Sequence, residues 1–361
     1  MIALQISGKA QSPQTLAKDA DAAYVRGDVQ QAIRLYEELL QAQPDSVEAR
    51  TNLGVALAHI GRYSDAVVQY DEALKRAPDN ANVLLDLALA WYKQAMFDAA
   101  AAKLEHLHAL HPENKQSIYL LADCYLRLGR NEDVVRLLQP VYDADPHDRA
   151  VEFALGMALI RSGQMEKGEA IVNQVATTAD HSEVDLLQGA AQLAAHDSKA
   201  AAISIHRALE AAPDLPGAWA LYGQALQDSE DREGARKAFE KALEADPNDF
   251  DANLYLGGML RYDGAIEAAT PYLEKAQTLR PTSVEARFQI GLLNLARGRL
   301  DDARVDYEQV ERQSPDFKEV HVQLALLYAR LHRIDDSKRE RAAVVQLDEK
   351  ARDQAPHQHQ P

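Results

Sequence analysis

The chain has 361 residues, 47% of them apolar but only 6% aromatic, with 17 Gly and 14 Pro. That profile suits closely packed helices better than a sheet sandwich. A net charge of −17 and a single cysteine argue against a phosphate-backbone partner or an anionic membrane surface, and exclude an internal disulfide and a thiolate metal cage.

The first twelve residues, from MIALQISGKA, lack the basic head and apolar core of a signal peptide. They read as a short leader (1–12). Beyond them the chain is punctuated by proline. Pro44, Pro78, Pro112 and Pro146 are spaced by 34 residues, as are Pro213, Pro247, Pro281 and Pro315. The interval from 146 to 213 holds one repeat of 34 and one of 33, with Asp180 where a proline would stand.

Within each repeat a small residue is followed twelve positions later by a second one, then by an aromatic or aliphatic, then by Ala or an aliphatic. The second unit shows Leu53-Gly54, Ala66, Tyr70, Ala73 and Pro78, and the seventh Trp219, Gly223, Ala235, Phe239, Ala242 and Pro247. The eighth carries Leu256-Gly257, Ala269, Leu273, Ala276 and Pro281, and the ninth Ile290-Gly291, Ala303, Tyr307, Val310 and Pro315. The tenth departs, with Ser337, Arg341 and Glu349 at the small, aromatic and proline positions, as a solvated end requires.

This pattern resembles the tetratricopeptide repeat (TPR). The resemblance covers ten units over 13–350: 13–46, 47–80, 81–114, 115–148, 149–181, 182–215, 216–249, 250–283, 284–317 and 318–350. It implies an all-α solenoid of helix-turn-helix repeats, wound as a right-handed superhelix with the first helices on the concave face. The second unit is expected to hold helices over 47–60 and 64–77, turning at Gly61-Arg62, with Gly54 and Ala66 face to face. Each terminal proline stops a second helix. Asp45-Ser46, Asp79-Asn80 and Asn248-Asp249 then supply N-caps for the next helix. Pro140 and Pro271 fall inside second helices, where local kinks are expected. The stretch 351–361 reads as a disordered tail.

Chemistry-bearing motifs are sparse. His106, His108 and His111 lack the i,i+4 spacing of a helical metal pair, and His357 and His359 lie in the tail. Cys124 reads as a small core residue. The expectation is therefore a protein without catalytic, cofactor or metal residues, serving as a scaffold that binds a peptide or protein partner on its concave face.

Offsets along the first helices give two candidate surfaces. In units three to five, Leu85, Tyr119 and Phe153 share one offset, Leu89, Asp123 and Met157 the next, and Tyr92, Leu126 and Ile160 a third. Lys93, Arg127 and Arg161 form a cationic ladder beside them, although Asp123 with Arg127 is also a self-sufficient i,i+4 pair. In units eight and nine the second set comprises Leu254, Arg261, Tyr262, Phe288, Leu292 and Leu295. The Lys, Asn and Arg clamp by which some members of the family hold acidic chaperone tails is absent. Asn52 has the right place, but Ala17, Asp21, Asn82 and Asp86 surround it. An alternative role is the substrate-recruiting subunit of a glycosyltransferase or peptidase complex. No span is long enough for a membrane, so the chain reads as cytoplasmic as written, or as periplasmic or envelope-associated if an N-terminal signal has been lost.

Overall fold

The computed structural model describes residues 11–178 and 181–354. Asp180, most of the leader and the end of the tail lie outside them, as do His357 and His359. Among the described residues the regular elements are helices, arranged as successive antiparallel pairs. The first four pairs are α1 (Pro13–Val25) with α2 (Val29–Ala42), α3 (Val47–His59) with α4 (Tyr63–Leu74), α5 (Ala81–Lys93) with α6 (Phe97–Leu110), and α7 (Lys115–Arg127) with α8 (Asn131–Ala144), after which come α9 (Arg149–Arg161) and α10 (Met165–Thr178). There follow α11 (His181–Ala194) with α12 (Ser198–Ala211), α13 (Ala218–Asp228) with α14 (Arg232–Ala245), α15 (Phe250–Tyr262) with α16 (Ile266–Leu279), α17 (Val284–Ala296) with α18 (Leu300–Gln313), and α19 (Lys318–Arg330) with α20 (Ile334–Gln354).

The boundaries follow from the residues. Ser46, Asn80 and Asp249 cap α3, α5 and α15 by accepting from the amides of Ala49, Val83 and Ala252 at 3.2, 3.3 and 2.8 Å. The second helices of the proline-ended units stop two to four residues before the proline, as at Ala42 before Pro44 and Leu74 before Pro78. The two internal prolines do not interrupt their helices. α8 and α16 run through Pro140 and Pro271. Both prolines are exposed, so the carbonyl left unbonded four residues earlier faces the wet side of the helix. At the far end Glu349 stands at the proline position of the repeat and Pro356 comes seven residues later. Helix α20 continues to Gln354, into the stretch expected to be disordered.

The small-to-large contact inside each pair differs in detail from expectation. Gly54 lies under the ring of Tyr70 rather than opposite Ala66, and a Cβ at Gly54 would stand 2.5 Å from Tyr70 Cε1. Ala66 is one helical turn before Tyr70 on the same face and is fully buried. Its missing bulk lets the helices close, and the ring then covers the bare backbone. The same stacking places Gly223 under Phe239, Gly257 under Leu273 and Gly291 under Tyr307.

The chain divides into two compact units, Met1–Ser162 and Gly163–Pro361. The division falls inside the fifth repeat, between α9 and α10. In the first unit a continuous core runs through Ala32, Tyr36, Leu53, Tyr70 and Leu87. In the second, one cluster centres on Phe239 and Leu256, and another on Phe288, Tyr307 and Tyr328. In both units successive first helices touch: α3 with α5 and α7 with α9 in one, α13 with α15 and α15 with α17 in the other. No helix among the described residues is long and apolar enough to cross a membrane.

Candidate functional site

The first candidate surface, on α5, α7 and α9, is largely occupied by its own residues. Tyr92 on α5 donates its hydroxyl to Asp123 of α7, and Arg127 Nε donates to the same carboxylate at 3.1 Å. The Arg127 guanidinium also lies 5.5 Å from the Tyr92 ring centre and 5.1 Å from that of Phe97, within cation–π range. Burial and the Asp123 bond push the Tyr92 hydroxyl above its ordinary pKa. Tyr119 likewise donates to Asp148, and that carboxylate with burial raises its pKa to about 12. Met157 and Ile160 are buried, whereas Leu85, Leu126 and Phe153 are half-buried and Leu89, Lys93 and Arg161 exposed. Arg161 is not without an interaction partner.

The second surface is open. A cleft of about 610 Å³ lies on the first-helix side of the unit Gly163–Pro361, a volume in the range of sites that take small ligands or side chains. α15 forms its floor through Leu254, Tyr255, Gly258, Met259, Arg261 and Tyr262. α17 contributes Glu285, Phe288 and Gln289, and Phe317 closes one end before α19. Gln227 at the end of α13, with Glu230 and Arg232 beyond it, forms the other wall. Four sequence candidates therefore meet in one cavity: Leu254, Arg261, Tyr262 and Phe288. Leu292 and Leu295, on the same helix as Phe288, are half-buried and pack against the neighbouring core.

The rings that wall the cleft are held by each other. Phe288 meets Phe317 edge-on at 5.0 Å, and Tyr255 stacks on Phe239 at 5.5 Å, both in the favoured range for aromatic pairs. Tyr255 also accepts from Gln224 Nε2 at 2.9 Å. Tyr262 is 74% exposed, with the Arg232 guanidinium 4.9 Å from its ring centre.

The two arginines of the cleft differ in kind. Arg232 is paired with Asp263 at 2.5 Å. Arg261 donates Nε to the neutral Gln289 Oε1 at 3.1 Å. Among the described residues no carboxylate lies within the 4.0 Å of an ion pair from it. Burial draws its pKa below the ordinary value, because desolvation disfavours the charged form.

Titratable clusters elsewhere are internal. His106 Nε2 bonds Asp79 at 2.9 Å. Cys124 is fully buried, and burial pushes its thiol up to about 12, so it is a core residue as its position suggested. One cluster went unread in the sequence: Glu311, His321 and Glu340 bring potential ligand atoms within 4.8 Å of one another. His321 Nδ1 faces Glu340 Oε2 at 2.8 Å and its Nε2 faces the Pro315 carbonyl at 2.9 Å. Arg339 Nε donates to the other Glu340 oxygen at 3.0 Å. Two acceptors on the two ring nitrogens describe an imidazolium, and the arginine already balances Glu340, so the group is built as a protonated latch between helices. Its sequence signal was faint, since Glu340 lies 19 residues from His321 and falls next to no repeat position that carries function.

Residues 18–81, 221–284 and 259–318 match the family described as tetratricopeptide repeat. Residues 59–141 match that of anaphase-promoting complex, cyclosome, subunit 3. The chain belongs to the tetratricopeptide repeat family. Repeats of this family form protein-interaction scaffolds, which is the general role of this TPR chain. Among solved structures it is similar to the APC/C hetero-tetramer Cut9–Hcn1, with a TM-score of 0.56 at 12% identity over 93% of this chain and 87% of that one. A monomeric mutant of IFIT1 with Gppp-AAAA gives 0.48 at 16% identity over 94% and 91%. At these identities the likeness is one of fold. No curated protein matches the chain.

Proposed function

We propose that this TPR chain is a non-catalytic scaffold that holds an extended segment of a partner protein against the first helices of the unit Gly163–Pro361. The observation that carries this reading is the cleft over α15 and α17, with aromatic walls and a floor on the helix face that the repeat leaves uncovered by second helices. Apolar walls with a few placed polar groups are the composition of a peptide or ligand site. Protein is favoured over nucleic acid because the chain carries −17 and the cleft margin carries Glu230 and Glu285, which oppose a phosphate backbone. The surface on α5, α7 and α9 ranks second, since Asp123 already engages both Tyr92 and Arg127.

The test is selection from a random linear peptide library on the full chain, followed by affinity measurement on variants. Gly258→Phe places a ring inside the cleft from a position whose Cβ has room. It is expected to abolish binding of the selected peptides, while Arg127→Glu with Arg161→Glu leaves it unchanged. Peptides insensitive to the first variant and lost with the second would move the site to the other unit and overturn the reading.

A further inference from the structure

Glycine in a helix interior is less stable than alanine, so each one asks for a reason. At Gly54, Gly189, Gly223, Gly257 and Gly291 the reason is internal. A Cβ there would stand 2.3–2.8 Å from a large side chain of the same helix pair. Gly258 differs. Its Cβ would meet the Gln289 side chain at 3.7 Å, an ordinary contact. Packing within the chain would accept alanine, yet the backbone is left bare where it fronts the cleft. Bare backbone of this kind serves close approach by something outside the chain.

Arg261 and Tyr262 follow Gly258 at i+3 and i+4 and so share its helix face. Arg261 is partly desolvated and held in place by a neutral amide, with no carboxylate of the described chain in ion-pair range. A guanidinium so placed carries donors that suit a carboxylate in a forked arrangement. The nearby acids work against a run of negative charge. Glu230 and Glu285 border the same cleft, so one acid flanked by apolar residues fits where an acidic stretch would be repelled.

We propose that the face formed by Gly258, Arg261 and Tyr262 receives a single Asp or Glu side chain of an extended partner segment. Its carboxylate sits on the Arg261 guanidinium, and its main chain passes over Gly258. Apolar neighbours of that acid enter the space walled by Phe288 and Phe317. The inference rests on the peptide-site reading of this cleft and adds its specificity.

The test uses the peptides selected on the full chain, synthesised with the acid and with its amide (Asp→Asn or Glu→Gln). The selected set is expected to carry one acid beside an aromatic or branched residue. Arg261→Gln is expected to weaken the acid form by about ten- to a hundred-fold, the range of a charge-assisted bond, and to leave the amide form unchanged. Gly258→Ala is expected to raise the thermal midpoint while weakening both forms, a combination that a structural glycine would not give. Peptides that Gly258→Phe excludes but that lack an acid, or that bind Arg261→Gln as tightly as wild type, overturn the inference and leave the peptide site standing. Failure to select any peptide overturns both. Arg261-dependent binding of a single-stranded oligoribonucleotide in the same cleft, in place of peptides, overturns both in favour of a nucleic acid.

Discussion

At the scale of single residues, the turn inside each helix pair shows how local geometry is shared across unlike side chains. The backbone is left-handed at Gly61, Gly264 and Gly298, and at the equivalent places in other pairs it is left-handed at Ala95, His196, Glu230 and His332. The closing amide beyond it bonds back to the helix, as Arg62 N does to Leu57 O at 2.9 Å and Arg333 N to Tyr328 O at 2.9 Å, and only this backbone conformation allows that bond. For an L-residue the conformation costs about 1–2 kcal/mol. His332 is exposed and has φ of 58°, so its side chain contributes little packing in return. His332→Gly relieves the cost, offset by about 0.5–1 kcal/mol of extra freedom in the unfolded chain. A net gain of about 0.5–1 kcal/mol is expected, read from the denaturant midpoint. A loss of stability would show that the imidazole makes a contact worth more than the strain.

At the scale of helices, the latch between α19 and α20 makes the last pair pH-sensitive. His321 is 5% exposed and Glu340 1%. Burial alone would lower the His321 pKa, but the Glu340 carboxylate and the Pro315 carbonyl outweigh it and raise it above its ordinary value of 6.5, with Glu311 of α18 acting in the same direction. Arg339 faces Glu340 rather than the imidazole. A raised folded pKa stabilises fully below the unfolded value and loses that contribution as pH rises through the folded one. Amide protection along α20 is therefore expected to hold below pH 6.5 and to fall as the pH rises above it, and His321→Gln should flatten the dependence. Protection that rises with pH, or that keeps its slope in the variant, would exclude the latch.

The same scale shows what could be read in advance. Helix ends and pairing were legible because their determinants are local: a proline stop, a Ser, Asn or Asp cap, and a Gly–aromatic contact closed within one repeat of 34 residues. The cleft was not, because it depends on side chains from adjacent repeats, and the latch was not, because His321 and Glu340 stand at positions of the tenth repeat that the pattern leaves unspecified. Tyr92 reaches Asp123 across 31 positions and Arg261 reaches Gln289 across 28. Offsets placed Leu254, Arg261, Tyr262 and Phe288 on one face but could not rank that face above the one holding Arg127. The deciding quantities were a carboxylate present at Arg127 and, among the described residues, none at Arg261. Gly258 was hidden by its neighbour, since Gly257 alone satisfies the repeat pattern.

At the scale of the whole molecule, helix pairs that touch chiefly their neighbours in sequence make stability a chain of local terms rather than one cooperative quantity. The unit Gly163–Pro361 illustrates this, with one cluster around Phe239 and Leu256 and another around Tyr307 and Leu324. Leu324 is fully buried in the second, and Leu324→Ala removes a buried side chain at a cost of about 2–5 kcal/mol. In a two-state domain that loss would lower the protection of every globally exchanging amide equally. Here hydrogen exchange is expected to accelerate across α17 to α20 while α13 and α14 keep their wild-type rates. The cleft floor on α15 carries Leu256 of the first cluster and touches α17 of the second, so its protection should fall by an intermediate amount. Uniform acceleration from α13 to α20 would mean that the two clusters fold as one. The proposed peptide site would then rest on a single rigid body rather than on the seam between two independently stabilised groups of helices.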